Sequence, residues 1–170
     1  MRKRPHFLAT AIAALLASSA DAAPPADKMA SVRYLVGTWK CHHTVGAFAG
    51  DYTTTYASVL GDRWLKQTYQ FPADDRQGAK QAECFIGYSG KNAWVRFFAM
   101  STGEYFANRM IETGDGWSWK YISFFNTQKP EPPGVDATFT KKSDSEYEVD
   151  GPSYPENGTV VREHHVCKKL

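Results

Sequence analysis

Gly116-Trp117-Ser118-Trp119-Lys120-Tyr121 alternates large rings with small or charged residues, position by position. A period of two places successive side chains on opposite sides of an extended backbone, so this stretch reads as a β-strand. Thr53-Thr54-Thr55-Tyr56 and Trp94-Val95-Arg96-Phe97-Phe98 share the habit. Between such stretches stand Gly61-Asp62, Ser89-Gly90-Lys91-Asn92, Thr102-Gly103, Gly114-Asp115-Gly116 and Lys142-Ser143-Asp144. Gly, Asn and Asp accept the positive φ that tight hairpins need. The punctuation predicts strands near 34–45, 51–60, 63–71, 80–88, 93–100, 104–112, 117–125, 136–142, 145–150 and 159–168. Short connections make neighbouring strands antiparallel. An open sheet of that size would expose two edges, and closure removes both. The expected fold is therefore all-β: a closed antiparallel up-and-down β-barrel of about 8–10 strands. Helical periodicity is absent apart from a turn around Met29–Tyr34. Gln128–Val135, with Pro130, Pro132, Pro133 and Gly134, reads as a long loop at a barrel mouth or a solvated connector.

The N-terminus has a different character. Arg2-Lys3-Arg4 precedes an apolar run from Phe7 to Ala17, and Ala20-Asp21-Ala22 fits the small-residue cleavage rule. Residues 1–22 read as a signal peptide, cut after Ala22 or Ala23. The run is shorter than the ~20 residues a spanning helix needs. Residues 23–33 read as a flexible lead-in and 34–170 as the barrel domain. Export implies a periplasmic or secreted protein. Of the 20 basic and 18 acidic residues, Arg2, Lys3, Arg4 and Asp21 belong to the leader, so the rest of the chain is balanced. That balance gives no reason to expect nucleic acid as a partner, and no later segment is apolar enough to span a membrane. The composition leaves the oligomeric state open.

Tyr34-Leu35-Val36-Gly37-Thr38-Trp39-Lys40-Cys41 opens the first expected strand, and Leu-x-Gly-x-Trp at that place is the calycin signature. The chain resembles the lipocalin-like barrels of that superfamily. It is most similar to the nitrobindins and to an exported bacterial family of unknown function that shares their barrel. Glu83-Cys84-Phe85-Ile86-Gly87-Tyr88 followed by Trp94-Val95-Arg96 is similar to a mid-barrel strand pair of the group. The resemblance implies a small hydrophobic ligand held inside the barrel. It also implies that Trp39 plugs the closed end under a basic side chain from the last strand, here Lys169 or Arg162. Nitrobindins bind haem through one histidine, which makes haem a candidate cofactor.

Export also bears on Cys41, Cys84 and Cys167, because disulfides persist in oxidising compartments. An odd count allows one internal bond at most. Cys41 and Cys167 fall on the first and last strands, which a closed barrel makes adjacent. Facing residues of an antiparallel pair keep a constant sum of numbers. A Cys41–Cys167 bridge therefore sets His43 opposite His165 and Trp39 opposite Lys169. Cys41–Cys84, Cys84–Cys167 and no bond remain as alternatives. Cross-strand partners stand ~4.5–5.5 Å apart, so His43 and His165 can share a metal or a polar ligand, with Glu163 on the same face as a third group. Zinc wants three or four ligands, and two hydrogen-bonded structural histidines are the plainer reading.

The candidate ligand-binding residues are Trp39, His43, Trp94, Arg96, Tyr105, Arg109, Trp119 and His165. Arg96 or Arg109 would orient a carboxylate if inward, although charged strand residues more often face out. Tyr121 belongs with the rings that would line a pocket or fill a core. Asp144, Glu146, Glu148 and Asp150 alternate as a solvated face, and Asn157-Gly158-Thr159 matches a glycosylation sequon. No Gly-x-Ser-x-Gly, Cys-x-x-Cys, His-Glu-x-x-His or phosphate loop occurs. The function expected is small-molecule binding. The alternatives are a haem or metal barrel using the histidine pair, an enzyme built on His43, His165 and Glu163, and an interaction module with a filled core.

Overall fold

The computed structural model describes residues 26–73, 78–89, 93–114, 116–125, 137–153 and 161–170. Side chains are described in these spans except at 26, 27, 89, 93, 118–125 and 153. A short helix, α1 (Ala26–Ala30), and a 3-10 turn (Arg33–Leu35) precede ten strands. These are β1 (Gly37–Val45), β2 (Phe48–Val59), β3 (Trp64–Phe71), β4 (Lys80–Ser89), β5 (Ala93–Met100), β6 (Tyr105–Thr113), β7 (Gly116–Phe125), β8 (Ala137–Ser143), β9 (Glu146–Ser153) and β10 (Val161–Lys169). Each strand pairs antiparallel with the next, and β1 pairs with β10, so the sheet closes into a barrel. The expected strands are all present. Their ends differ where local geometry intervenes: β1 starts at Gly37 because Arg33–Leu35 coils, and β2 starts three residues early, opposite Val45. The loop Gln128–Val135, the sequon Asn157-Gly158-Thr159 and the turn at Gly90-Lys91-Asn92 lie outside the described residues.

Cys41 and Cys167 are bonded, and the β1–β10 register sets Trp39 opposite Lys169 and His43 opposite His165. Cys84 is a buried free thiol. One end of the barrel is plugged. Met29, Val32 and Leu35 pack into the core with Trp39, Tyr147 and Phe139. The Trp39 indole donates to the Leu35 carbonyl at 2.7 Å, and its ring lies 4.8 Å from that of Tyr147. Lys169 Nζ sits 5.5 Å from the Trp39 ring and donates to the Tyr34 carbonyl at 2.7 Å. Lys169 is thus the basic partner of the plug, while Arg162 pairs with Asp150 instead. Gly37 is needed here: its φ is +130°, and a Cβ would stand 2.9 Å from Lys169 Cε. The stretch 23–33 read as a flexible lead-in, but from Ala26 onward it forms part of the plug, with Met29 and Val32 buried. Lys28 anchors it from outside by pairing with Glu112 at 2.6 Å.

Candidate functional site

Parity decides what faces the interior. Each strand contributes alternate residues, and the inner rows include Tyr52, Thr54 and Tyr56 on β2, Gln67 and Tyr69 on β3, Trp94 and Arg96 on β5, and Asn108 and Met110 on β6. The inner wall is therefore aromatic but not dry. Tyr56 and Tyr147 join hydroxyls at 3.2 Å, and Gln67 donates to Thr54 at 3.1 Å.

Two polar clusters stand out. The first lies near the β1–β2 hairpin, at the end away from the plug. His165 shares a hydrogen bond at 3.0 Å between Nδ1 and the Tyr52 hydroxyl, and its Nε2 faces Glu163 Oε1 at 3.4 Å. His43 stacks on His165 with ring centroids 5.5 Å apart and planes 20° apart. The Gly50 backbone passes beside His43, and the buried Nδ1 of this ring has no hydrogen-bond partner among the described residues. His43 also lines a pocket of about 130 Å³ with Phe48, Ala49, Gly50, Asp51, Phe71 and Pro72. Burial first, and then the neighbouring His165, pushes the His43 pKa below the usual imidazole value, while Glu163 opposes the shift.

The second cluster is deeper. Arg96 is 6% exposed. It donates through Nε to Cys84 Sγ at 3.1 Å and through Nη2 to the Tyr69 hydroxyl at 2.9 Å. Its guanidinium lies 5.3 Å from the Phe98 ring and 5.7 Å from the Phe106 ring, which stack on each other at 4.4 Å. Burial pushes the Tyr69 hydroxyl and the Cys84 thiol above their ordinary pKa values against the pull of Arg96, so both neighbours are neutral at physiological pH. Directly across the strand pair from Arg96 is Asn108, 1% exposed, whose Oδ1 and Nδ2 have no hydrogen-bond partner among the described residues. The β6–β7 register shifts between Ala107 and Asn108.

The residues singled out from sequence divide accordingly. His43, His165 and Arg96 face the interior. Trp39 and Trp94 are buried structural residues at the plugged end, where the Trp94 indole donates to Glu112 at 2.8 Å. Tyr105, 48% exposed, and the exposed Arg109 lie on the outer wall, so neither lines the interior. They share parity with each other and not with Phe106 and Asn108. The side chain of Trp119 lies outside those described; its backbone pairs with Met110 and Ala137. The metal reading of His43 and His165 is not supported by the geometry. Their rings stack face to face, so their nitrogens do not converge, and both His165 nitrogens already face partners. Among the described residues no group of three His, Cys, Asp or Glu is placed to hold a metal. A haem site is not shown among the described residues. Tyr52, Tyr69, Phe71 and Asn108 were missed. The signal for them is parity: once Cys41 faces Cys167, alternation and register propagate the inner row round the barrel.

His43 makes stability depend on pH. Its folded pKa lies below the unfolded value of about 6.5. Above that value both states are neutral and the group contributes nothing to the pH dependence. As pH falls below it, the unfolded chain takes up the proton first, so stability is lost until the folded pKa is reached. The melting temperature should therefore fall between pH 7 and 5, and less steeply in His43→Gln. Parallel melting curves for the two proteins would show that His43 is not responsible. The carboxylates with lowered pKa values among the described residues, Asp51, Glu112 and Asp144, act below this window.

No protein-family model matches the chain, and no curated protein matches it. Among solved structures, Rv2717c from M. tuberculosis is similar over 86% of this chain and 99% of its own, with a TM-score of 0.61 and 13% identity. A redesigned β-barrel is similar over 81% of this chain and 92% of its own, with a TM-score of 0.48 and 10% identity. At such identities the likeness concerns the fold alone. No helix among the described residues is long and apolar enough to cross a membrane.

Proposed function

We propose that the protein is an exported lipocalin-like carrier that holds a small, largely apolar molecule at the unplugged end of its barrel. The observation that carries this reading is the pocket of about 130 Å³ beside His43, walled by Phe48, Phe71 and Pro72 and backed by the inner aromatic row. Phe71 continues that wall inward, 5.0 Å from Tyr52 and 5.8 Å from Tyr69. Apolar walls with a few fixed polar groups are the usual make-up of a small-molecule site. The Cys41–Cys167 bond is consistent with an oxidising compartment. The leader at 1–22 and the Leu-x-Gly-x-Trp stretch at 35–39 point the same way. Among the described residues the Tyr52, Tyr56, Tyr69 and Tyr147 hydroxyls and the His165 ring are already hydrogen-bonded to neighbours, which favours binding over chemistry and leaves His43 as the interior imidazole with an open nitrogen.

The polarity-sensitive dye 8-anilinonaphthalene-1-sulfonate, an aromatic anion with a large apolar face, tests the reading. The protein should enhance its fluorescence at saturable stoichiometry, and Phe71→Ala should weaken binding about tenfold by removing one apolar wall. Phe97→Ala, on the outer surface, should leave binding unchanged. Native mass spectra showing only bare chain after purification from the host, together with no saturable dye binding, would sink the carrier reading.

A further inference from the structure

The pairing of β2 with β3 stops short. It ends at Thr53 opposite Gln70, whereas β2 runs on along β1 as far as Phe48. β3 ends at Phe71, and Pro72 has no N–H with which to carry the ladder further. The barrel wall therefore parts between the two strands, and the pocket of about 130 Å³ lies in the parting. Phe48–Asp51 line it from one strand, Phe71 and Pro72 from the other, and His43 completes it. The His43 ring stands 5.2 Å from Phe48 and 5.6 Å from Tyr52, and Tyr52 stands 5.0 Å from Phe71. The four rings form an arc that begins and ends at the cavity. Burial and then His165 lower the His43 pKa, so its imidazole joins the arc as a neutral ring at physiological pH. The fixed charge nearest the cavity is acidic. Asp51 lines it, ionised under the hold of His42 and Lys40, and Glu163 stands close enough to act on His43. No Lys or Arg is among the described lining residues; Lys40 meets Asp51 at 3.1 Å from the outer surface and offsets part of its charge.

Building on the carrier reading, we propose that this cavity is a site for an alkylated ammonium head, carried on the small apolar body of the ligand. Aromatic rings attract cations to their negative faces, most strongly where water is excluded. Methyl groups spread the charge of such a head over apolar surface, so it gives up few hydrogen bonds on leaving water. A primary ammonium would set its N–H donors against Phe48, Phe71 and Pro72, which accept none. A carboxylate would meet Asp51 and Glu163 with no cationic side chain in the lining to receive it. An uncharged head of the same shape would gain the apolar walls alone. An apolar cavity of about 150 Å³ accepts benzene, so about 130 Å³ suits a head group of that order.

Titration of the protein with choline and with its uncharged carbon isostere 3,3-dimethylbutan-1-ol, followed by the NMR shifts of the Gly50 and Asp51 amides, tests the assignment. Choline should bind at least about tenfold more tightly, the discrimination that a desolvated cation–π site supplies. Phe48→Leu combined with Phe71→Leu keeps the walls apolar but removes two rings. In that variant the preference should fall to about threefold or less while the alcohol still binds. Asp51→Asn alters a half-exposed side chain outside the core, which keeps the test open if the double variant fails to fold. It should weaken choline about threefold and leave the alcohol unchanged. Equal binding of choline and the alcohol by the parent, with saturable dye binding, overturns the proposal and leaves the carrier reading intact. A preference unchanged in both variants also overturns it, because the cation then sits elsewhere. Failure of choline, the alcohol and the dye alike overturns the carrier reading and the proposal together.

Discussion

Replacing Cys41 and Cys167 together with alanine should lower folding stability by about 5 kcal/mol, the largest loss expected from any change that leaves the core outline intact. The two cysteines are 126 residues apart in sequence, so the bond closes nearly the whole described chain into one loop. In the chain-entropy account a long loop withdraws the most freedom from the unfolded state. A protein of this size has about 5–15 kcal/mol in total, so the loss is a third or more of it. The β1–β10 pairing does not depend on the bond for its hydrogen bonds, and the reduced protein should still fold, with its urea midpoint shifted down. Cys84→Ala serves as the comparison: it removes a buried free thiol and should leave sensitivity to reductant unchanged. A urea midpoint indifferent to reductant in the parent protein would show that the seam contributes nothing to stability.

Trp39→Ala should cost about 3–5 kcal/mol. The indole is fully buried, donates to the Leu35 carbonyl, packs on Tyr147 and supports Lys169. Truncation opens a cavity under the plug and leaves the Leu35 carbonyl without this donor. The change therefore removes a ring and loosens the turn that seats Val32 and Leu35 in the core. Lys169→Met keeps the ring but removes the charge above it and the donor to the Tyr34 carbonyl, and should cost about 1–2 kcal/mol. Urea denaturation of the two variants separates the terms. A loss below about 1 kcal/mol in Trp39→Ala would mean that α1 and the turn hold the closed end without it.

The strands and turns were legible because their causes are local. Alternation at Trp117–Tyr121 and Thr53–Tyr56 is a property of the extended chain, and Gly61-Asp62 and Thr102-Gly103 carry their own backbone preference: Gly61, Asp62 and Gly103 all have positive φ. The seam was legible for a geometric reason. Closure makes the first and last strands neighbours, and one bridged pair then fixes every other, so Trp39–Lys169 and His43–His165 followed from Cys41–Cys167.

The candidate site was less so. In Trp94-Val95-Arg96-Phe97-Phe98 both parities carry apolar side chains, so alternation alone does not say that Arg96 faces in and Phe97 out. On β6, Tyr105 and Arg109 alternate with Phe106 and Asn108, and each row holds one ring and one polar group. Hydrophobicity therefore assigns no sign there. The sequence by itself determined an antiparallel meander of about 8–10 strands that closes on itself, with a seam register that follows once Cys41 is bonded to Cys167, since periodicity, turn chemistry and pairing arithmetic all act along the chain; that these two cysteines and not Cys84 form the bond was decided by the structure. Only the tertiary structure decided that the histidines stack and that Asn108 lies buried beside Arg96. Those facts depend on which row the closing cylinder turns inward and on what then stands across it, distances that no stretch of sequence contains.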